Sequence, residues 1–150
     1  MIEQGQKLIT ADIMSTVPVQ MVCADVQEVG IENASVVVLN LTLQFIPVEK
    51  RLDLLQQIYH GLKPGGILLL SEKIAFDDPQ QQLLQDNLHL EFKRSQGYSD
   101  LEISQKRTAL EKVMIPETLA THQQRLQQAG FTLSEPWFQC FNFISLVAIK

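Results

Sequence analysis

The sequence predicts an α/β fold, in which a mainly parallel sheet is covered by helices on both faces. Strand-like and helix-like segments alternate along the chain, which is the order that a parallel sheet with crossover helices requires. Two strand-like segments then follow one another near the carboxyl terminus, close enough in sequence to form an antiparallel hairpin. The predicted sheet is therefore completed at one edge by a reversed hairpin.

Five segments are predicted as strands. Val17–Ala24 is short, whereas Ser35–Asn40 is a continuous run typical of a strand that is buried on both faces of a parallel sheet. Ile67–Leu70 is predicted as the next buried strand. Phe131–Phe138 and Asn142–Ile149 form the predicted hairpin.

Four segments carry helical signals. Their apolar residues recur at helical spacing, and proline or glycine marks several of their ends. Ser99 or Asp100 is predicted to cap the helix that follows Gly97. The helical segments are residues 2–14, Pro47–Leu62, Pro79–Lys112 with a break at Gly97, and Pro116–Ala129, which Gly130 ends.

This order of elements predicts a particular class of sheet. A parallel sheet that one reversed strand completes is the layout of class I S-adenosylmethionine (SAM)-dependent methyltransferase-like folds, so the predicted fold is α/β and Rossmann-like. We find no internal repeat and no linker-like boundary, and residues 1–150 are predicted to form a single domain. Ligands of such sheets bind beyond the carboxyl ends of the strands. Asp25 and Asn40 both stand at such positions.

The composition argues against several classes of protein. The chain has 150 residues, of which 45% are hydrophobic and 19% charged, which suits a globular core rather than a disordered chain. Its longest uncharged apolar runs, of which Ile67–Leu70 is one, are far too short to cross a bilayer, and no signal peptide is evident. The net charge of −5 disfavours direct binding of nucleic acid. We predict a cytoplasmic protein that binds neither nucleic acid nor a membrane.

Cysteine and histidine give no sign of a metal site. Cys23 and Cys140 lie in apolar segments and are predicted to be reduced and buried. His60, His89 and His122 are far apart and lack the spacing of metal ligands, so each is predicted to be a surface or helix residue. The sequence predicts no bound metal.

Three positions could carry chemistry. The carboxylate of Asp25 could accept a hydrogen bond from the amine of adenine while the backbone N–H of Val26 meets a ring nitrogen; the alternative is a cap or a solvated loop acid. Asn40 ends a predicted buried strand, where an amide must be paired, so it either binds a ligand or braces a loop. Arg107 offers the planar fork that suits a carboxylate, although a lone arginine on a polar helix is usually solvated.

Other polar and aromatic residues have simpler interpretations. Ser71-Glu72-Lys73 follows a predicted strand and could line a cleft, although a structural salt bridge or a solvated edge is the favoured interpretation. Lys93-Arg94 is interpreted as part of a solvated helix face. The aromatic residues near the carboxyl terminus, including Trp137 and Phe138, fit a packed hairpin better than a platform for stacking bases.

Four stretches of the sequence closely resemble the bacterial carboxy-S-adenosyl-L-methionine synthase family: IENASVVVLNLTLQF, IYHGLKPGGILLLSEK, GYSDLEISQKR and WFQCFNF. The resemblance runs from about Val19 to Lys150. Many SAM-dependent enzymes share GLKPGG followed by an apolar strand. GYSDLEISQKR and WFQCFNF are much more specific, and they carry the resemblance.

The resemblance implies an activity. Members of the family convert SAM and prephenate into carboxy-SAM and phenylpyruvate, with SAM as a substrate rather than a methyl donor. Loss of a proton from the sulfonium methyl gives an ylide, which captures the carbon dioxide freed from prephenate. A separate enzyme uses the product to modify the wobble uridine of tRNA to 5-oxyacetyluridine. The resemblance also implies a homodimer.

The resemblance implies roles for four residues. Asp25 and Val26 match the pair that contacts adenine, although isoleucine is common at the second position. Asn40 matches a cofactor-binding asparagine. Arg107 matches an arginine that holds the carboxylate of carboxy-SAM, and such charge-assisted hydrogen bonds contribute about 1.5–3 kcal/mol. No catalytic base is identified.

The sequence departs from the family pattern before Met1, where family chains carry a further segment. That segment holds two strands, the glycine-bearing loop beside the methionine moiety and the acid that binds the ribose. We therefore expect a partial methyltransferase-like domain that binds SAM weakly and shows little activity alone. Two alternatives remain open, namely an ordinary SAM-dependent methyltransferase and a non-catalytic remnant or interaction module.

Overall fold

The structure, a computed structural model, describes residues 2–11 and 17–150, which divide into two compact units, Met1–Gly30 and Ile31–Lys150. The first unit contains helix α1, Ile2–Ala11. The predicted helix over residues 2–14 is thus observed as far as residue 11, and residues 12–14 lie outside the described part of the chain.

The predicted strand Val17–Ala24 is wrong. This segment has no regular secondary structure, and its apolar side chains at Val17, Val19 and Val22 are exposed. A strand forms only where a neighbouring strand satisfies its backbone groups, and no described strand pairs with this segment. The β-branched composition alone therefore did not produce a strand.

The second unit contains the sheet and four helices. Two short 3₁₀ turns, Leu43–Phe45 and Val48–Lys50, lie between the first strand and the first of these helices. The strands and helices of the unit are, in chain order, β1 Ala34–Asn40, α2 Arg51–Gly61, β2 Leu62–Ala75, α3 Pro79–Ser95, α4 Asp100–Glu111, β3 Glu117–Thr118, α5 Leu119–Ala129, β4 Leu133–Cys140 and β5 Phe143–Ile149.

The sheet has the order β1-β2-β5-β4, and β3 pairs with the end of β2. Strand β2 is parallel to β1 and β3, whereas β5 is antiparallel to both β2 and β4. The predicted carboxyl-terminal hairpin at the sheet edge is therefore confirmed. The expectation of a mainly parallel sheet is wrong for the described strands, because two of their four pairings are antiparallel.

Local signals set the helix ends. Ser99 caps α4 in a reciprocal capping box with Glu102, as the sequence predicts. Gly130 ends α5 with φ at 113°, a conformation that favours glycine. The helix predicted from Pro47 instead starts at Arg51, because a 3₁₀ turn comes first.

Strand β2 lies at the centre of the sheet and has two unequal faces. Leu68, Leu70, Glu72 and Ile74 point to a fully buried face, whereas the residues between them are half-buried. The apolar core also includes residues of helices α2 and α5 and of strand β5: Leu54, Leu55, Ile58, Leu126, Ala129, Ile144, Leu146 and Ala148.

Strand β1 is an edge strand, and its expected burial on both faces is wrong. Val36 and Val38 remain 51% and 57% exposed, and among the described strands β1 pairs with β2 alone. The continuous apolar run of β1 makes the strand suitable for burial, but Val36 and Val38 become buried only where another element of the structure packs against them. This edge is therefore apolar and open in the described part of the chain.

Two other expectations about burial are also wrong. Both Cys23 and Cys140 are exposed free thiols. Trp137 and Phe138 are likewise exposed, because β4 lies at the other edge of the sheet and a bulge interrupts its pairing between Pro136 and Phe138.

Helix α3 has a polar side that contacts its own unit and an exposed apolar side. Gln82, Asp86 and His89 contact other described groups, and Asp86 accepts a hydrogen bond from the buried Asn142 (2.9 Å). The exposed side carries a stripe at four-residue spacing, Leu84, Leu88 and Phe92. This distribution is the reverse of an ordinary surface helix.

Candidate functional site

Asn40 lies at the carboxyl end of β1, opposite Ser71 of β2. The position agrees with the sequence prediction, but the side chain is exposed rather than buried. Within residues 2–11 and 17–150 its side-chain amide makes no hydrogen bond, while its backbone oxygen accepts one from the hydroxyl of Thr42 (3.1 Å). Because Asn40 is exposed, the predicted cost of burying its amide does not arise, and the amide is accessible to a ligand.

The backbone immediately after Asn40 is strained. Leu41 has φ at 53°, in the left-handed region that non-glycine residues rarely occupy, and its N–H donates to the backbone oxygen of Ser71 (2.7 Å). A residue in this region costs on the order of 1–3 kcal/mol and persists where the surrounding structure enforces it. Such residues cluster at binding and catalytic sites.

Glu72 holds the turn that follows Leu41. Its buried carboxylate accepts three backbone N–H groups, from Thr42 (3.1 Å), Leu43 (2.8 Å) and Gln44 (3.0 Å). Burial raises the pKa of Glu72, while these three hydrogen bonds and the charge of Arg51 oppose the rise. The interpretation of Glu72 as a salt bridge or a solvated edge is therefore wrong, because it fixes a loop.

Arg51 braces the same loop from α2. The side chain is fully buried, and it donates to the backbone oxygens of Ile46 (2.9 Å), Gln44 (3.2 Å) and Ile115 (2.9 Å) and to Glu117. Burial raises the pKa of Glu117, but hydrogen bonds from Arg125 and Arg51 outweigh it and lower the pKa overall. The loop after Asn40 is thus held on two sides.

Arg107 lies on α4 and is exposed, next to Lys106, whose Nζ is 4.6 Å from the centre of the Tyr98 ring. Lys93 of α3 is half-buried, and its pKa is lowered first by burial and then by the charges of Lys73, Lys106 and Arg107. We call these four residues, Lys73, Lys93, Lys106 and Arg107, the basic cluster.

The basic cluster was only partly visible in the sequence. The pair Lys93-Arg94 is interpreted there as a solvated face, and this is correct for Arg94, which is exposed and pairs with Glu91 and Asp100. It is wrong for Lys93, which is half-buried. The only sequence signal for this difference is the helical spacing that puts Lys93 on the same side of α3 as Asp86 and His89.

Asp25 and Val26 belong to the first unit, Met1–Gly30. Asp25 is exposed, and its Oδ1 accepts a hydrogen bond from the backbone N–H of Gln27 (2.9 Å), while its backbone oxygen accepts one from Glu28 (3.0 Å). Val26 is half-buried in the same turn. Asp25 therefore caps a turn, and the expectation that it closes a strand is wrong because residues 17–24, which lead up to it, form no strand.

The three histidines differ from one another. His60 is exposed, whereas His89 is half-buried and packs against Phe141 and Phe143. His122 lies in α5, as the expectation of a surface or helix residue allows, but it is buried there rather than exposed. Among the described residues, no group of three or more His, Cys, Asp or Glu side chains is placed to hold a metal ion. No helix in this part of the chain is both long enough and apolar enough to cross a membrane.

Comparison with solved structures identifies the fold. The chain superposes on the SAM-dependent methyltransferase SibL with a TM-score of 0.68 at 17% identity, covering 99% of this chain and 40% of SibL. The mitomycin 7-O-methyltransferase MmcR superposes with a TM-score of 0.64 at 14% identity, and the match covers 99% of this chain and 39% of MmcR. Human N-acetylserotonin methyltransferase superposes with a TM-score of 0.61 at 21% identity, and the match covers 85% of this chain and 32% of the human enzyme.

Sequence comparison identifies the family. A family model described as "Methyltransferase domain" matches residues 1–70. Curated proteins named carboxy-S-adenosyl-L-methionine synthase match all 150 residues: those of Geobacter metallireducens and Trichlorobacter lovleyi are each 67% identical, and that of a Shewanella species is 57% identical. The chain covers 62%, 62% and 61% of these relatives, or about three fifths of their length.

The fold of the chain is the α/β fold of the class I SAM-dependent methyltransferases, with part of the sheet represented in this chain. Within that class, the chain belongs to the carboxy-S-adenosyl-L-methionine synthase family.

Proposed function

We propose that this chain serves the synthesis of carboxy-SAM from SAM and prephenate, with phenylpyruvate as the second product. The observation that carries the proposal is the 67% identity to carboxy-SAM synthases over all 150 residues. The exposed amide of Asn40 at a strand end and the cationic groups around Arg107 also support it, because they suit a nucleoside ligand and a carboxylate.

Four residues are proposed to bind the nucleoside substrate and product. Asp25 and the backbone of Val26 would contact adenine, and Asn40 would bind SAM from the end of β1. Arg107 would hold the new carboxylate of carboxy-SAM through charge-assisted hydrogen bonds. The rigid loop after Asn40, held by Glu72 and Arg51, supports the role of Asn40, because a ligand pays less to bind a loop that is already ordered.

The proposed reaction balances in atoms and charge. A C–H bond of the sulfonium methyl breaks to give an ylide, and the ylide carbon bonds to the carbon dioxide that prephenate releases. Prephenate loses its ring carboxylate as carbon dioxide and its ring hydroxyl as hydroxide, which becomes water with the methyl proton. Phenylpyruvate keeps the second carboxylate. We assign no residue as the base.

The proposal extends to partners and location. The exposed stripe Leu84, Leu88 and Phe92 supports a homodimer, because a soluble protein rarely leaves such a stripe uncovered. The net charge of −5 supports a division of labour in which a separate enzyme handles tRNA wobble uridine modification. We propose a cytoplasmic protein without a bound metal and without a direct nucleic-acid or membrane partner.

A turnover experiment tests the function. SAM and prephenate are supplied to the chain alone and to a chimera in which the remaining part of the Geobacter metallireducens relative is added. Carboxy-SAM is measured by mass spectrometry. We expect carboxy-SAM from the chimera and little from the chain alone. If the chimera methylates an acceptor but never forms carboxy-SAM, the ordinary methyltransferase alternative holds instead.

A substitution in the chimera tests Arg107. We expect Arg107→Ala to weaken carboxy-SAM binding about 10-fold or more and to leave SAM binding nearly unchanged, because SAM has no carboxylate on its methyl carbon. Arg94→Ala is the matched control, since Arg94 is an exposed arginine that pairs with Glu91 and Asp100. Equal losses of affinity for both ligands would remove Arg107 from the proposed site.

A further inference from the structure

Lys73 and Lys93 are brought close together by the packing of α3 on the sheet. Lys73 lies near the carboxyl end of β2, where its register partner on β5 is Phe143. The ring of His89 packs edge-on against Phe143, with 5.1 Å between ring centres. Lys93 follows His89 by one helical turn, so it lies on the same side of α3. Both lysines are half-buried.

Neither lysine is neutralised within residues 2–11 and 17–150. Arg94 pairs with Glu91 and Asp100, but the side chains of Lys73 and Lys93 take part in no ion pair or hydrogen bond in this part of the chain. The acid on the same side of α3, Asp86, already accepts hydrogen bonds from Gln82 and Asn142. Half-buried cations without an acid favour the binding of an anion.

The other cations of the basic cluster increase this preference. Lys106 and Arg107 both act on Lys93 through their charge, in addition to Lys73, and together with burial they lower the pKa of Lys93. A bound anion would relieve this repulsion. The site is also flanked by aromatic groups, because Phe141 stacks on His89 with 6.0 Å between ring centres. Positive charge beside aromatic rings suits an anion that carries a ring.

We propose that Lys73 and Lys93 form the binding site for the carboxylate that the carboxyl donor retains. The proposal rests on the proposed function, in which a dicarboxylate loses one carboxyl group and keeps the other. Arg107 is assigned there to the carboxylate of the product. The retained 2-oxo carboxylate then binds the two lysines, and the donor ring lies toward Phe141 and Phe143. Lys73 and Lys93 thereby select the donor, and they take no part in forming or breaking bonds.

The experiment measures binding to the chain without SAM. Phenylpyruvate and prephenate are titrated by calorimetry into the wild-type chain and into Lys73→Gln and Lys93→Gln. Lys63→Gln is the matched control, because Lys63 is an exposed lysine at the opposite end of the same strand. The methyl ester of phenylpyruvate supplies the same ring without the charge, and inorganic phosphate supplies the charge without the ring.

We expect both acids to bind the wild-type chain at millimolar or lower concentration, and the ester and phosphate to bind more weakly. Lys73→Gln and Lys93→Gln each raise the Kd of both acids about 10-fold or more, whereas Lys63→Gln leaves it unchanged. Lys93→Arg keeps the charge and raises the Kd no more than about threefold, which separates loss of charge from loss of fold.

Several results would overturn the proposal. The first is that neither acid binds the wild-type chain, and the second is that Lys63→Gln and Lys93→Gln lose the same affinity for the acids. The third is that the methyl ester binds as tightly as phenylpyruvate itself. The fourth is that phosphate binds as tightly as phenylpyruvate. Formation of carboxy-SAM is measured separately in the chimera. If the titrations contradict the lysine site but the chimera forms carboxy-SAM, the proposed function is supported and the lysine site is rejected. If the titrations support the lysine site but the chimera forms no carboxy-SAM, the proposed function is rejected instead.

Discussion

Buried polar residues in this chain have two kinds of environment. Glu72 and Arg51 are surrounded by backbone groups and make several hydrogen bonds each. His122 is equally buried, but within the described residues neither of its ring nitrogens has a hydrogen-bond partner. Glu72 and Arg51, which make these hydrogen bonds, fix the loop beside Asn40. His122, which has no hydrogen-bond partner among the described residues, lowers the stability of the fold when its ring must accept a proton.

His122 makes the stability of the fold depend on pH. Burial, opposed by Glu117 and reinforced by Arg125 and Arg51, lowers the pKa of His122 to about 4. As the pH falls below about 6.5, the unfolded chain binds a proton that the folded chain excludes, so the free energy of unfolding falls. Between pH 7 and 5 this loss is about 2 kcal/mol. Urea unfolding at the two pH values measures it.

Two variants isolate this effect. We expect His122→Met to abolish most of the loss between pH 7 and 5, since methionine is apolar and needs no partner. His60→Gln serves as the control because His60 is exposed, and it should keep the wild-type pH dependence. A wild-type slope that persists in His122→Met would assign the effect to other groups.

At the scale of elements, α3 shows how far a helix can depart from its ordinary orientation. Its spacing predicts a helix, and the structure confirms one from Pro79 to Ser95. Its polar side contacts the hairpin, while Leu84 and Leu88 are exposed. The helix therefore turns polar groups toward the hairpin and leaves an apolar surface exposed.

The apolar stripe of α3 is expected to mediate self-association. Replacing Leu84 and Leu88 with Gln removes apolar surface that only a partner would bury, so we expect the dimer to dissociate at least about 10-fold more readily while the monomer fold is kept. Sedimentation velocity over a concentration series measures this change. Leu133→Gln on β4 is the control, because Leu133 is also exposed but lies outside α3. A wild-type chain that remains monomeric throughout would contradict the proposed homodimer.

Helices were predictable from the sequence to the extent that their ends are set by local chemistry. Gly97, Ser99 and Gly130 mark ends that the structure confirms, because capping and left-handed turns depend on a few neighbouring residues. Strands were less predictable, because a strand needs a partner that lies elsewhere in the chain. Val17–Ala24 failed for this reason.

The candidate site was predictable only where it follows from strand order. Asn40 was placed correctly, since its strand and the topology could both be inferred. The buried role of Glu72 and the half-buried state of Lys93 were not predictable, because each depends on segments distant in sequence. Sequence spacing shows which residues share a helix side, but only tertiary packing decides which side is covered.

At the scale of the whole molecule, the described chain consists of two units and covers about three fifths of its relatives. The larger unit has its own buried core, and its sheet ends at one side in β1. This edge exposes backbone donors and acceptors next to two valines, which is a template for pairing between molecules.

The open edge predicts how the isolated chain behaves at high concentration. We expect Val36→Lys combined with Val38→Lys to reduce its aggregation several-fold, because charge on an edge strand opposes pairing between molecules. Light scattering during incubation measures the aggregation. Val48→Lys adds a charge at an exposed valine outside the strands and should have little effect. If Val48→Lys reduced aggregation as much as the β1 variant does, the reduction would be due to the change in net charge rather than to the edge strand.

Glu72 and Lys73 are neighbours on β2, and they point to opposite faces of the sheet. One insertion or deletion of a single residue between Gly66 and Ser71 would therefore exchange their orientations. The ammonium of Lys73 would then point into the buried core, and the carboxylate of Glu72 would point to the face on which α3 packs. Both the loop anchor and the anion site would be lost in a single genetic event.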